Sequence, residues 1–331
     1  MSSINLQSAS SKGFGTMNFT WRADPIPKET AFDALKTAIE TNLPKKTFIN
    51  GGEFYGEGNI NLIYLKEFFE KYPELRKHSI ISIKGGIGEK GPSINLLESS
   101  VDNIISYLPD LDIFEPARLD PSSSIEDQVA RLDQIVDSGK IKGFTLSEVS
   151  GKTLSNAVKV AEHNIEGVEV EFSLFSRDII TNGLVKSAGG HDIPIIAYSP
   201  LSRGVLTGTL KSVKDIPKGD IRLHFERFSE ENFENNLKLV EVVEQLASKK
   251  QVTAAQLSLA WLHYHSEKTI NGLKFPKIIP IPSSSSVGRV NENFADVVLT
   301  EQEFNTINKE IEKFKVHGGR YNKGHEKLLD Q

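Results

Sequence analysis

Tyr55 lies in NGGEFYGEG (50–58), where four glycines surround an aromatic hydroxyl and the carboxylate of Glu53. Glycine permits close approaches that other residues resist, so such a stretch can bring a phenol hard against another group. Lys84 closes an apolar run, SIISIK (79–84). A cation beside a phenol favours the phenolate and lowers its pKa, and a phenol so tuned can protonate a carbonyl oxygen. Taken singly, each residue also reads as something plainer: an aromatic on a glycine turn, and a solvated lysine at a strand end.

Further polar groups follow other apolar runs. Arg118 comes after LDIFEP (111–116). It could hold a carboxylate or phosphate bidentately, or pair with Asp120 or Glu115. Ser147 and Glu148 follow IKGFTL (141–146) and can hydrogen-bond an amide. In AYSPLSRGVLTG (197–208), Tyr198 offers a flat stacking face, and Ser199, Arg203 and Gly204 suit a phosphate. In IPSSSSVGRVNEN (281–293), four serines precede a helix start where they can cap it and hold an anion, and Arg289 lies on the next turn.

Other patterns carry less. Gly86, Gly88 and Gly91 spell G-x-G-x-x-G, but Pro92 and Ser93 place the helix start after the motif rather than inside it. His263 and His265 are two apart, so they do not share a helix face, and helix C-terminal cations would explain them. No metal-ligand spacing and no G-x-S-x-G elbow occurs. Without cysteine there is no disulfide framework and no thiolate chemistry.

The elements that must position these residues alternate. GFGTM (13–17), 47–50, 79–84, 111–116, 141–146, 167–172, 193–198 and 277–281 read as strands. Helices are expected at 28–42, 59–72, 94–107, 125–138, 152–163, 177–188, 231–250 and 253–265. Eight strand–helix units without a composition break predict an α/β fold, a closed (β/α)8 TIM barrel with its site at the C-terminal face of the strands; an open doubly wound sheet is the alternative. One domain over 1–331 is expected, with 1–12 a flexible N-terminal segment and 316–331 a C-terminal tail or loop. Residues 202–230 are too long for a routine connection and read as a functional loop. The 44 acidic and 39 basic residues leave a charge of −5, spread along the chain. That argues against nucleic acid and a polybasic membrane footprint. No apolar run reaches the roughly 20 residues that span a bilayer, and a cytoplasmic protein is expected.

In their order and spacing, these segments resemble the aldo-keto reductase family from residue 13 to Asn293. The region 47–56 resembles the family's Asp-Thr-Ala-Asp-x-Tyr-Gly motif, with Tyr55 at the catalytic tyrosine. SIKGG (82–86) resembles the segment bearing the catalytic lysine, here Lys84, and GKIKGFTLS (139–147) the Gly-Lys-x-Gly-Leu-Ser signature. AYSPLSRGVLTG is similar to the pyrophosphate stretch and IPSSSSVGRVNEN to the adenosine 2′-phosphate segment. Two members of the family's Asp-Tyr-Lys-His tetrad differ, since Asn50 stands at the aspartate and Ala117 at the histidine. With NGGEFYG, PARLDP, TLSEVS (145–150) and EVEFSLFSRDI (169–179), this pattern resembles the fungal pyridoxal reductase branch.

The resemblance implies an NADPH-dependent reductase acting on an aldehyde, pyridoxal foremost. It implies Tyr55 as proton donor and Lys84 as its activator, with Asn50 and Arg118 in place of the altered members. Without the aspartate, Lys84 is expected to lack its anion and to pull harder on the tyrosine pKa. Cofactor contacts are implied at Met17 and Asn50, at Ser147, Glu148 and Glu169 for the carboxamide, and at Tyr198 for ring stacking. Ser199, Leu201, Arg203, Gly204 and Leu206 would line the pyrophosphate. Ser283, Ser284 and Arg289 would take the 2′-phosphate, with Glu292 and Asn293 at the adenine. Residues 18–25, 202–230 and the tail from 316 would shape the substrate pocket. Two rivals remain: a broad-specificity aldehyde or ketone reductase, and a non-catalytic NADPH-binding subunit like the channel β subunits. No metal and no obligatory protein partner are expected.

Overall fold

Runs rich in Ile, Val and Phe can be buried on both faces only when helices cover one side and side chains fill the other. The computed structural model, which describes residues 4–330, has that arrangement. Its strands are β1 (Phe14–Gly15), β2 (Thr47–Gly52), β3 (Ser79–Gly85), β4 (Ile113–Pro116), β5 (Gly143–Ser147), β6 (Ile165–Glu171), β7 (Ile195–Tyr198) and β8 (Ile278–Pro280). They pair in chain order, all parallel. Backbone N–H groups of Gly13 and Gly15 donate to the carbonyls of Pro280 (2.9 Å) and Pro282 (3.4 Å), joining β1 to the end of β8. The closed (β/α)8 barrel is therefore present, and the open sheet is not.

The crossover helices are α1 (Lys28–Asn42), α2 (Ile60–Lys71), α3 (Leu97–Tyr107), α4 (Ile125–Asp137), α5 (Gly151–Val160), α6 (Leu184–Gly190), α7 (Glu230–Lys250) and α8 (Ala254–His265). Two more follow β8: α9 (Val287–Asn293) and α10 (Glu301–Ile311). Side-chain caps explain several starts: Ser124 accepts from the Asp127 N–H, and Thr253 forms a capping box with Gln256. The helix expected at 177–188 is broken instead. A single 3₁₀ turn (Asp178–Ile180) precedes α6, separated by Gly183 at φ +94°. The motif at Gly86, Gly88 and Gly91 is a small antiparallel hairpin in which Gly88 pairs with Gly91, not a phosphate loop.

The N-terminal segment was expected to be loose, and from Ile4 on it is not. Leu6–Ser8 form a 3₁₀ turn, and Leu6 and Ala9 are buried against Phe48, Ile80, Ile113, Ile196 and Ile279. This plug closes the N-terminal end of the barrel, and burying Leu6 alone is worth roughly 2 kcal/mol. The tail contains a short helix (Lys323–Glu326), and its Arg320 and Tyr321 fold back onto the opposite end.

Candidate active site

Strand register makes the first assembly. Gly52 pairs with Lys84, Lys84 with Glu115, and Ser147 with Glu169, all near the C-terminal ends of their strands. Asn50 lies two residues before Gly52. Inward-facing side chains at these positions meet in the upper half of the barrel, above the apolar plug.

The glycine stretch fits around Tyr55. A Cβ added at Gly52 would stand 2.9 Å from the Tyr55 ring, and Gly56, at φ +96°, would meet the Thr20 carbonyl at 2.8 Å. Thr20 Oγ1 donates to the Tyr55 carbonyl (2.6 Å), and Asn61 Nδ2 donates to Thr20 Oγ1 (2.9 Å). Glu53 pins the other side, accepting from Ser100 Oγ and Asn103 Nδ2; its role is structural. The Tyr55 ring is buried, stacked on Trp21 (5.2 Å, 28°) with Phe54 edge-on. Burial pushes its phenol up to about 12; Lys84 pulls it down, while Glu169 and Glu115 push it further up.

Lys84 lowers the tyrosine pKa as expected, but burial outweighs it and the net shift is upward. Lys84 does not lack an anion. Its Nζ donates to Glu169 Oε1 and to Asn50 Oδ1 (2.9 Å), and lies 3.4 Å from Glu115 Oε1. Burial alone would lower its pKa, but Glu115 and Glu169 more than offset this and the net shift is upward. Asn50 Nδ2 in turn donates to Glu169 Oε2 (2.7 Å). Glu169, expected at a cofactor carboxamide, therefore has both oxygens engaged with Lys84 and Asn50.

At the mouth, Arg118 Nη1 donates to the Ala117 carbonyl (2.5 Å) and Ser147 Oγ (3.3 Å), and its guanidinium lies over the Tyr321 ring. Neither Asp120 nor Glu115 pairs with it: Asp120 accepts from Ile94 N–H and Ser122, and Glu115 from Thr145. Tyr198 shares a hydroxyl contact with Tyr321 (3.1 Å). Glu148 is clamped by both terminal nitrogens of Arg320 (3.1 and 3.0 Å), so it is not free for an amide. Arg203 pairs with Glu171 (3.2 Å) and stacks on Phe225 and Tyr321.

After β7, Ser199, Ser202, Arg203 and Gly204 all have positive φ. The turn closes on itself, since the Ser202 N–H donates to the Ser199 carbonyl (2.8 Å) and the Gly204 N–H to the Leu201 carbonyl (2.9 Å), so those two N–H groups are not open to an anion. Leu206 is fully buried and Leu201 nearly so, so their side chains pack in the core rather than line a phosphate. Met17 begins a short helix just past β1 and is half-buried. After β8, Ser283 Oγ is buried without a partner, and Ser284 Oγ accepts from Asn293 Nδ2 (2.9 Å). Glu292 is half-buried; Arg289 is exposed, and its backbone N–H donates to Ser286 Oγ.

Several site residues escaped the sequence reading. Glu115 showed a signal, an acid inside an apolar run. Trp21 and Tyr321 lie in segments expected to shape the pocket, but nothing in the sequence singled them out. His263 and His265 are not helix-end cations: burial pushes both down to about 4, and His265 packs against Trp261 and Phe275. Among the described residues no cluster of three or more His, Cys, Asp or Glu could hold a metal, and no helix is long and apolar enough to cross a membrane.

A parallel eight-stranded barrel with a buried tyrosine and lysine at its C-terminal end is the framework of a large group of reductases. The chain belongs to that group: the model of the aldo/keto reductase family matches residues 13–312. It is 42% identical to a Saccharomyces cerevisiae protein named "Putative pyridoxal reductase", over 93% of this chain and 95% of that one. It is 34% identical to "Probable pyridoxal reductase 2" of Schizosaccharomyces pombe, over 96% of each. Among solved structures, a glycerol dehydrogenase from Gluconobacter oxydans superposes with a TM-score of 0.77 at 18% identity, covering 94% of both chains. An aldo-keto reductase from Klebsiella pneumoniae in complex with NADPH superposes with a TM-score of 0.66 at 20% identity, covering 95% of both.

Proposed function

We propose that this chain is an NADPH-dependent aldehyde reductase whose preferred substrate is pyridoxal, acting in the cytoplasm. The observation that carries the reading is Tyr55: a buried phenol, held protonated, beside a buried lysine at the C-terminal end of the barrel. The two relatives named pyridoxal reductases support pyridoxal as the substrate. The cofactor accords with the NADPH held by the Klebsiella structure, and the residues present suit it. Ser283 Oγ is a buried polar atom without a partner, and Arg289 stands exposed on the helix that follows.

When bound, NADPH supplies the hydride. The chain's own residues do the rest. Ser283, Ser284 and Arg289 would take the 2′-phosphate, Glu292 and Asn293 the adenine, and the loop carrying Ser199, Arg203 and Gly204 would lie along the pyrophosphate. Ser147 and Tyr198 orient the nicotinamide end, with Met17 and Asn50 beside it. Tyr55 Oη holds the proton that the substrate's carbonyl oxygen receives. The parallel Trp21 and edge-on Phe54 form an aromatic wall beside that hydroxyl, suited to a flat ring such as a pyridine. Arg118, with no carboxylate partner among the described residues, suits an anionic oxygen next to the aldehyde.

Replacing Tyr55→Phe keeps the ring and removes the proton. Turnover should fall by about 100-fold or more while NADPH affinity stays within about twofold. Near-normal turnover in that variant would remove Tyr55 from the chemistry.

A further inference from the structure

Two glutamates and one lysine are sealed inside the barrel beneath Tyr55. Glu115, Glu169 and Lys84 are 0%, 1% and 6% exposed. Both oxygens of Glu169 accept hydrogen bonds, from Lys84 and Asn50. Glu115 Oε2 accepts from Thr145 Oγ1 (2.9 Å). Its Oε1 is buried and has no hydrogen-bond partner, although Lys84 Nζ is 3.4 Å away. A buried acceptor left in this state is costly. The two glutamates meet at one cation: Lys84 Nζ donates to Glu169 Oε1 and lies 3.4 Å from Glu115 Oε1. Two bare carboxylates around it cannot hydrogen-bond each other, because both are acceptors only. A single proton removes both difficulties. It gives Glu115 Oε1 a partner and leaves one positive and one negative charge in the cluster.

We propose that Glu115 and Glu169 share one proton beneath Lys84, as a carboxyl–carboxylate pair that sets the pH range over which Tyr55 acts as an acid. The kinetic half of this rests on the reductase reading; the shared proton does not. Every neighbouring element contributes to the pair's surroundings: Asn50 from β2, Lys84 from β3, Thr145 and Ser147 from β5, and Tyr55 from the loop after β2. Tyr55 and Lys84 are the titratable members, with Tyr321 of the tail beyond them.

Two carboxylates buried around one lysine ammonium repel each other, and a single proton on the pair relieves that repulsion. Burial, reinforced by the charge of Glu115, pushes the Glu169 carboxyl up to about 8. Above that pH the shared proton leaves and the cluster becomes net negative. A phenolate at Tyr55 is then harder to form, so proton transfer from Tyr55 slows as pH rises.

Infrared difference spectroscopy between the wild type and Glu115→Gln reads the proton directly. In the variant an amide N–H would donate where the proton stood, leaving Glu169 ionised. The wild type should show a protonated-carboxyl stretch at about pH 7 that is gone by about pH 10 and missing from the variant. With an aldehyde and NADPH, wild-type kcat should fall on the alkaline side with a midpoint near about 8, and Glu115→Gln should remove that limb. No carboxyl band separating the two proteins at neutral pH, or an alkaline limb unchanged in the variant, would overturn the pair. If thermal melting shows Glu115→Gln unfolded, Glu169→Gln is judged by the same band. A wild type that shows the band but reduces no aldehyde would leave the pair standing and remove the reductase reading.

Discussion

Tyr55 owes its position to what its neighbours lack. The face of Gly52 is where the phenol ring rests, and an alanine there would place a methyl 2.9 Å from the ring. Gly52→Ala should shift the ring by a fraction of an ångström to one ångström. A misplacement of that order costs about 100-fold in rate, so kcat should fall steeply while NADPH affinity is kept. A variant with full kcat would show that the ring's seat does not matter. The glycine stretch and the strand-end lysine were legible because both are local patterns. The charge around them was not. That Glu115 stands beside Lys84 depends on the register of β3 against β4, and that Glu169 meets Asn50 depends on closing the sheet into a barrel. Neither follows from spacing along the chain. The pull of Lys84 on the tyrosine is there, but burial of the ring outweighs it, and Glu169 and Glu115 oppose it.

At the level of elements, alternation of short β-branched runs with amphipathic segments was enough to count eight units, and apart from the broken helix at 177–188 the boundaries moved by only a few residues. The helix α10 went unread, although Thr300 and Glu303 form a capping box and Phe304, Ile307 and Ile311 share one face. The plug over residues 4–12 was misread because a polar segment with two small apolar anchors looks loose until the open end of a barrel is there to receive it. The tail was expected at the pocket, but its individual contacts were not readable. Its Arg320 and Tyr321 meet Glu148 and Tyr198 across more than a hundred residues of sequence. The helix α9 carries its own prediction. Arg289 is exposed, and a guanidinium can pair with the 2′-phosphate that NADH lacks. Arg289→Ala should weaken NADPH by about tenfold or more and leave NADH almost unchanged; equal losses in a fluorescence titration would place the 2′-phosphate elsewhere.

The whole molecule divides its interior by height. Apolar side chains and the N-terminal plug fill one end, a sealed polar cluster occupies the middle, and the aromatic wall, Arg118 and the tail frame the other end. A barrel built this way keeps the Tyr55 phenol out of bulk water, which suits the proposed reduction of a small carbonyl. The proposed substrate of this mouth, pyridoxal, is tested by NADPH consumption of the purified protein with pyridoxal beside a panel of simple aromatic and aliphatic aldehydes. The kcat/KM for pyridoxal should lie at least about tenfold above the rest of the panel, a difference of roughly 1.4 kcal/mol in transition-state binding. An even profile across the panel would contradict the substrate, and tight NADPH binding without turnover of any aldehyde would contradict the enzyme.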